Sequence, residues 1–261
     1  MLRRSIVRRR EKFVIAASLL SFGFWEVQYV TLDWRYLAIA VFVAVTYLVS
    51  AWALADDLQL YEWLTIVPLP AMYAGAVSLF YFLLPANLIS RLAILILFGI
   101  GMYALYLTAN IYSVAKGRTI QLVYAAHAIG LFFTLLTSLL FTNSILSLRL
   151  PFYGNSLLIS LVHFPLIFMS LWAVRLESKI DVNLWAYALL MTLIIAELAV
   201  LLSFLPLPVW HSALFIMSLL YVGLGVLHSF LRGRLFKNTL NEYSLVAIFM
   251  VILFVVLFPL K

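Results

Sequence analysis

The chain contains no cysteine. That absence excludes disulfide staples, thiolate nucleophiles, iron–sulfur ligation and every zinc site built on sulfur. Charge is also scarce: 10% of the 261 residues are charged, against about 25% in a soluble globular domain. The motifs of soluble chemistry are missing too. There is no glycine-rich phosphate loop, no His-Glu-x-x-His pair and no Gly-x-Ser-x-Gly elbow. Gly99-Ile100-Gly101 and Gly223-Leu224-Gly225 fall inside apolar runs, where glycine serves close helix contact. Gly154-Asn155-Ser156 lacks the second glycine of an elbow. No lysine lies within any apolar run, which rules out a retinal-type Schiff base.

What the chain has in abundance is apolar surface. Apolar residues make up 66% of it, with a mean hydropathy of +1.13. So few polar groups cannot cover a fold in water, so the solvent for most of the chain is hydrocarbon. A membrane span needs ~20 apolar residues, and nine such runs can be marked: 13–30, 36–54, 64–84, 92–115, 120–141, 153–174, 184–205, 209–231 and 244–260. They are continuous rather than alternating over ~10 residues as barrel strands are. In hydrocarbon the backbone must satisfy itself, which selects helices. The expected fold is therefore all-α: a polytopic transmembrane helix bundle of about nine spans. Residues 1–12 form a basic segment and residues 13–260 a single transmembrane domain.

The first run follows a basic segment as a signal peptide does, but Phe24-Trp25-Glu26-Val27 offers no small-x-small cleavage site. It is expected to stay as an uncleaved span. Pro68 and Pro70 should kink the third span near its inner end or delay its start, because each proline lacks a backbone donor. Pro206 and Pro208 separate the seventh and eighth spans by a tight turn. Pro-Leu-Pro recurs at 68–70 and 206–208 without a longer repeat around it.

Orientation follows from the basic residues. Thirteen of the seventeen Lys and Arg fall on the side of the N-terminus and four on the other. By the positive-inside rule the N-terminus is cytoplasmic and the C-terminus outside. The net charge of +7 owes most to Arg3, Arg4, Arg8, Arg9, Arg10 and Lys12. It therefore reads as a topology anchor rather than a nucleic-acid surface. Arg8, Arg9 and Arg10, with Arg232, Arg234 and Lys237 in an inner loop, are the expected contacts to lipid phosphate. Asp56, Asp57 and Glu62 form an acidic cluster on the same side, read as a solvated loop. Nothing in the chain calls for a metal or cofactor, and the expected partners are the bilayer and other membrane proteins.

Polar residues inside the spans are the best pointers to function, since an ionisable group in hydrocarbon costs at least ~2.5–3.5 kcal/mol on insertion scales. His163 and Glu197 sit on consecutive antiparallel spans, about 15 Å and about 12 Å below their outer ends at 1.5 Å per residue. A hydrogen bond between them is geometrically allowed. His127, Asn110 and Tyr106 complete the candidate set. Tyr106, Asn110 and Ser113 share one helical face, His127, Thr134 and Thr137 another, and Ser156, Ser160, His163 and Ser170 a third. Such faces serve helix packing or line a polar cavity. Glu26 reads as an interfacial group.

The stretch Asn110-Ile111-Tyr112-Ser113-Val114-Ala115, followed by Arg118-Thr119-Ile120-Gln121-Leu122 and Ala126-His127, resembles an uncharacterised bacterial family of multi-pass membrane proteins. That resemblance implies a bacterial inner-membrane location and a similar span layout, and nothing about catalysis. Three functions fit the sequence. The first is a small transporter or permease-like protein with the midplane polar residues lining a site. The second is an intramembrane enzyme on a lipid or lipid-linked substrate, with Glu197, His163 and His127 as acid and base. The third is a non-catalytic scaffold within a membrane complex.

Overall fold

The computed structural model describes residues 8–56, 58–85, 87–115, 121–176 and 181–257. Arg3, Arg4, Asp57, Lys116, Arg118, Lys179 and Lys261, which enter the charge count, lie outside the described residues. All regular structure among the described residues is helical. In chain order the helices are α1 (Arg9–Val27), α2 (Arg35–Leu54), α3 (Glu62–Thr65), α4 (Pro68–Tyr81), α5 (Leu88–Val114), α6 (Leu122–Ser147), α7 (Phe152–Arg175), α8 (Val182–Ser203), α9 (Val209–Leu231) and α10 (Lys237–Leu257). Among the described residues eight stretches are long and apolar enough to cross a membrane, with α3 and α4 together forming one of them. The fold is a polytopic helical bundle, and the protein is an integral, multi-pass membrane protein.

The ninth rod, α1, falls outside those eight because Arg9, Arg10, Glu11, Lys12 and Glu26 dilute its apolar stretch. It nevertheless runs along a span. Phe13 near its start stacks on Tyr106 of α5 at 6.0 Å, and Phe24 near its end meets Phe98 of α5 at 4.8 Å. Those contacts lie along most of α1 and in reverse order along α5, so the two helices are antiparallel neighbours.

Proline sets two boundaries as the sequence suggested. Pro68 occupies the first turn of α4, where a missing N–H costs nothing, so the span breaks into the short α3 and the longer α4. Pro208 caps α9, and five residues separate it from α8. Two boundaries differ from expectation by more than four residues. α6 continues to Ser147, six residues past the expected end, and α10 begins at Lys237, seven residues before the expected start. In both places a polar stretch, Thr142-Asn143-Ser144 or Asn238–Ser244, remains helical.

The chain forms two compact units, Met1–Gly130 and Leu131–Lys261, divided within α6. Unit 1 is organised by aromatic rings. Phe24, Phe42, Tyr73 and Phe98, from four helices, meet at centroid distances of 4.8 to 6.2 Å. Gly101 admits the Tyr73 ring, which a Cβ there would strike. At one end of the unit Lys12 of α1 donates to Asp56, just past α2, at 2.7 Å. Glu62 is fully buried, and its Oε2 accepts the Gln59 N–H at 2.8 Å. Of the acidic cluster, Glu62 is therefore part of the fold rather than a solvated loop; Asp56 is exposed but paired, and Asp57 lies outside the described residues.

In unit 2, α7 packs along α8. Phe164 and Phe168 stack against Trp185 at 5.9 and 4.4 Å. α10 rests on α9 through Phe215–Phe254 and Tyr221–Tyr243 contacts, with Gly225 admitting the Tyr243 ring. None of the α10 spanning window is buried. Side chains such as Leu161 on α7 are exposed by as much as 69%, far beyond the apolar patches that soluble monomers tolerate. Hydrocarbon is the medium that such faces fit.

Candidate functional site

The five candidate residues divide between the two units. Tyr106, Asn110 and His127 belong to unit 1, His163 and Glu197 to unit 2. Tyr106 is fully buried, and its hydroxyl shares a hydrogen bond with Ser50 at 3.0 Å. Asn110 is half-buried on α5. His127 is half-buried and packs against the Tyr112 ring at 5.6 Å. Tyr112 in turn donates to the Ala126 carbonyl at 2.9 Å, tying the end of α5 to the start of α6. Ser50–Tyr106 thus joins α2 to α5, and Tyr112–Ala126 joins α5 to α6.

His163 is different. It has no exposed surface and lies eleven residues into α7, so about 16 Å from the helix start. Both ring nitrogens are engaged, Nδ1 with the Ile159 carbonyl at 2.8 Å and Nε2 with Ser138 Oγ at 2.7 Å. A carbonyl only accepts, so Nδ1 carries the proton and donates, and Nε2 accepts the Ser138 hydroxyl. No bond to Glu197 forms, and none is open to the ring. Glu197 faces outward on α8, about 9 Å from that helix's C-terminal end.

The Ser138–His163 bond has further buried polar residues on the same two helices. Thr134, Ser138 and Thr142 follow one another at steps of four on α6 and share a face, from which Ser138 reaches α7. Asn155, Ile159 and His163 follow the same step on α7. Asn155, near the 148–151 turn, donates to the Leu150 carbonyl at 3.1 Å and to Ser203 Oγ at 3.2 Å. Several atoms of this region are buried without a protein partner: Thr142 Oγ1 and Asn155 Oδ1 on the seam, and Thr137 Oγ1 and Asn143 Nδ2 on adjoining faces of α6. Leaving such a group unsatisfied costs ~1–3 kcal/mol.

Beyond His163 the interior of α7 turns apolar for two turns, with Leu166 and Ile167 fully buried. Polarity then resumes seven residues on, where Ser170 Oγ and His228 Nε2 of α9 lie 3.1 Å apart. α7 thus contributes the imidazole to one hydroxyl–imidazole pair and the hydroxyl to another, on the same helix face. Pro165 sits between them inside α7. It has no N–H to offer the Leu161 carbonyl, which weakens the helix ladder at that point.

The basic residues expected at lipid phosphate are exposed: Arg8, Arg9 and Arg10 at the start of α1, and Arg232, Arg234 and Lys237 around the α9–α10 turn. Glu26 is exposed near the end of α1. Among the described residues no group of three or more His, Asp or Glu is placed to hold a metal. Sequence reasoning missed Ser138, Thr142, Asn143 and Asn155 as site residues, and Pro165 as a break in α7. The hydroxyl run Thr134, Thr137, Ser138, Thr142 was visible in the sequence, but ending the helix at 141 assigned its polar continuation to a loop.

No known family, no curated protein and no solved structure matches the chain.

Proposed function

We infer that the protein is a small permease-like carrier of a polar solute, set in the inner membrane of a bacterium, with the α6–α7 seam of unit 2 as its site. The observation that carries this reading is the buried Ser138–His163 pair, together with buried Thr142 on α6 and Asn155 on α7, whose Oγ1 and Oδ1 lack a partner among the described residues. Buried polar groups in hydrocarbon persist where something satisfies them. A polar solute or water moving along the seam does so, while a purely structural seam gains more from apolar packing. His163 lies near midspan, with buried Leu166 and Ile167 and then the Ser170–His228 pair further along α7. A polar group at midspan between helices suits alternating access. Pro165 lies between the two hydroxyl–imidazole pairs, where α7 can flex.

The test uses proteoliposomes and a panel of small polar solutes, neutral and charged, followed by stopped-flow light scattering. The wild-type chain is expected to raise the permeability of at least one solute above that of empty vesicles. His163→Leu and Thr142→Leu are each expected to abolish that increase. A wild-type chain indistinguishable from empty vesicles across the panel, or full flux through His163→Leu, would overturn the carrier reading.

A further inference from the structure

At the end of unit 1 opposite the Lys12–Asp56 pair, three polar residues converge that neither the packing nor the carrier reading uses. Phe24 of α1 meets both Phe42 of α2 and Phe98 of α5. One turn beyond Phe24 lies Gln28, and two turns beyond Phe42 and Phe98 lie Arg35 and Arg91. Steps of four and of seven return to nearly the same helix face, so all three residues stand over the aromatic cluster. The Arg91 guanidinium lies 4.8 Å from the ring centroid of Tyr29, the residue next to Gln28.

These are not ordinary interfacial side chains. Gln28 is only 4% exposed, yet neither its Nε2 nor its Oε1 has a hydrogen-bond partner among the described residues. Arg35 Nε and Arg91 Nε are likewise buried and unpartnered, whereas an arginine that snorkels keeps its head in water. Arg35 Nη2 donates to Tyr36 Oη at 2.8 Å. Among the described residues no ion pair joins either arginine to an acid. Each arginine also lies in the first turn of its helix, where no acidic residue offsets it. Helix N-termini already carry positive potential. Two of them with two guanidinium groups leave this end of unit 1 short of an anion.

We propose that Gln28, Arg35 and Arg91 form a binding site for a phosphate group. The forked guanidinium donors match phosphate oxygens. Gln28 Nε2 donates to another oxygen, and Oε1 accepts from a hydroxyl on the phosphate or on its ester. All three residues lie within about one turn of their helix ends, at the depth of lipid headgroups. The same chemistry fits a phospholipid headgroup and a soluble phosphate. The site lies in unit 1 and does not depend on the carrier reading of unit 2.

The experiment follows thermal unfolding of the purified full chain in neutral detergent. Phosphatidylglycerol, diacylglycerol as its phosphate-free counterpart, or inorganic phosphate is titrated in. A phosphate compound is expected to raise the unfolding midpoint, since a ligand of the folded state stabilises it, and diacylglycerol is expected to leave it in place. A rise with phosphatidylglycerol alone assigns the site to a lipid headgroup, and a rise with inorganic phosphate assigns it to a soluble phosphate. Arg35→Gln and Arg91→Gln are each expected to weaken the affinity about tenfold or more, as the loss of a charge-assisted hydrogen bond does. Gln28→Leu is expected to weaken it less. Arg232→Gln, exposed in the α9–α10 turn, is expected to bind as the wild type does. Arg91→Lys keeps the charge but loses the fork, and is expected to bind more weakly than wild type even where a glutamine variant fails to fold. A midpoint that moves with none of the three ligands, or as much with diacylglycerol as with the phosphate compounds, would overturn the proposal. So would undiminished affinity in Arg35→Gln and Arg91→Gln.

Discussion

Unit 1 and unit 2 solve the same problem with different interiors. In unit 1 the middle of the bundle is aromatic, centred on Phe24 and Phe98, both without exposed surface. Two of its polar links, Lys12–Asp56 and Tyr112–Ala126, sit at helix ends, and the buried Ser50–Tyr106 pair lies further in. In unit 2 the buried aromatics Phe168 and Trp172 share the interior with buried hydroxyls, an amide and an imidazole, Thr134, Ser138, Thr142, Asn155 and His163. A dry aromatic centre gains stability from packing alone. A polar one gives some of that stability up, which under the proposed carrier reading happens where a solute passes.

That contrast breaks most visibly at Phe98. Phe98→Ala removes a ring that touches Phe24, Phe42 and Tyr73 and leaves a cavity. The expected loss is ~3–5 kcal/mol, read by SDS titration of the detergent-solubilised protein. If unit 1 depends on aromatic packing, no single polar substitution in the seam should cost as much. Next comes Gly225→Leu. The added side chain runs into the Tyr243 ring, so α10 must move off α9, at ~1–3 kcal/mol for overpacking. Because α10 buries none of its window, the expected signature is faster proteolysis in the 232–236 turn while the α7–α8 pair stays intact.

The seam itself sharpens the comparison through two substitutions of opposite sign. Ser138→Ala deprives His163 Nε2 of its donor and is expected to cost about 1 kcal/mol. Thr142→Val removes a hydroxyl that has no protein partner. It is expected to leave stability unchanged or raise it by up to ~1 kcal/mol, while solute flux falls. A stabilised but inactive Thr142→Val protein is the outcome that separates a functional hydroxyl from a structural one.

The smallest effect lies outside the membrane. Asp181 caps α8, its carboxylate accepting the Asn183 N–H at 3.1 Å, with Arg175 3.8 Å away. The Asn183 backbone and side-chain bonds, with Arg175 adding a lesser pull, hold the Asp181 carboxyl below its ordinary range. A carboxyl depressed in the folded state stabilises it above the ordinary carboxylate value, and that contribution fades as pH falls through the folded value. Asp181→Asn should therefore weaken the α8 start slightly at pH 7 and make no difference at strongly acidic pH, measured by amide exchange at Asn183 and Leu184.

Much of the fold was legible because hydrocarbon imposes a simple code. α9 was read at 209–231, and α2, α7 and α8 within two residues at each end. The code failed where polar residues continue a helix. Thr142, Asn143 and Ser144 looked like a terminator and proved to be buried helix, because α6 is surrounded by protein there rather than lipid. The site was legible only in part. His163 was recognised from its depth, yet its partner is Ser138 rather than Glu197. Equal depth on neighbouring helices does not fix rotation about the helix axis, and in α8 that rotation turns Glu197 outward. Glu62 was misread because loop position was taken for exposure, and nothing in local sequence reports that its side chain is enclosed.

The central claim, that the α6–α7 seam is open to water at some point in its working cycle, is tested most directly by thiol accessibility. The cysteine-free chain carrying Thr142→Cys is reconstituted and treated with a small, membrane-impermeant methanethiosulfonate, with Leu161→Cys as the lipid-facing reference. The account predicts steady modification at position 142 and none at 161. A Thr142→Cys protein as unreactive as Leu161→Cys would mean a permanently dry seam and would contradict it.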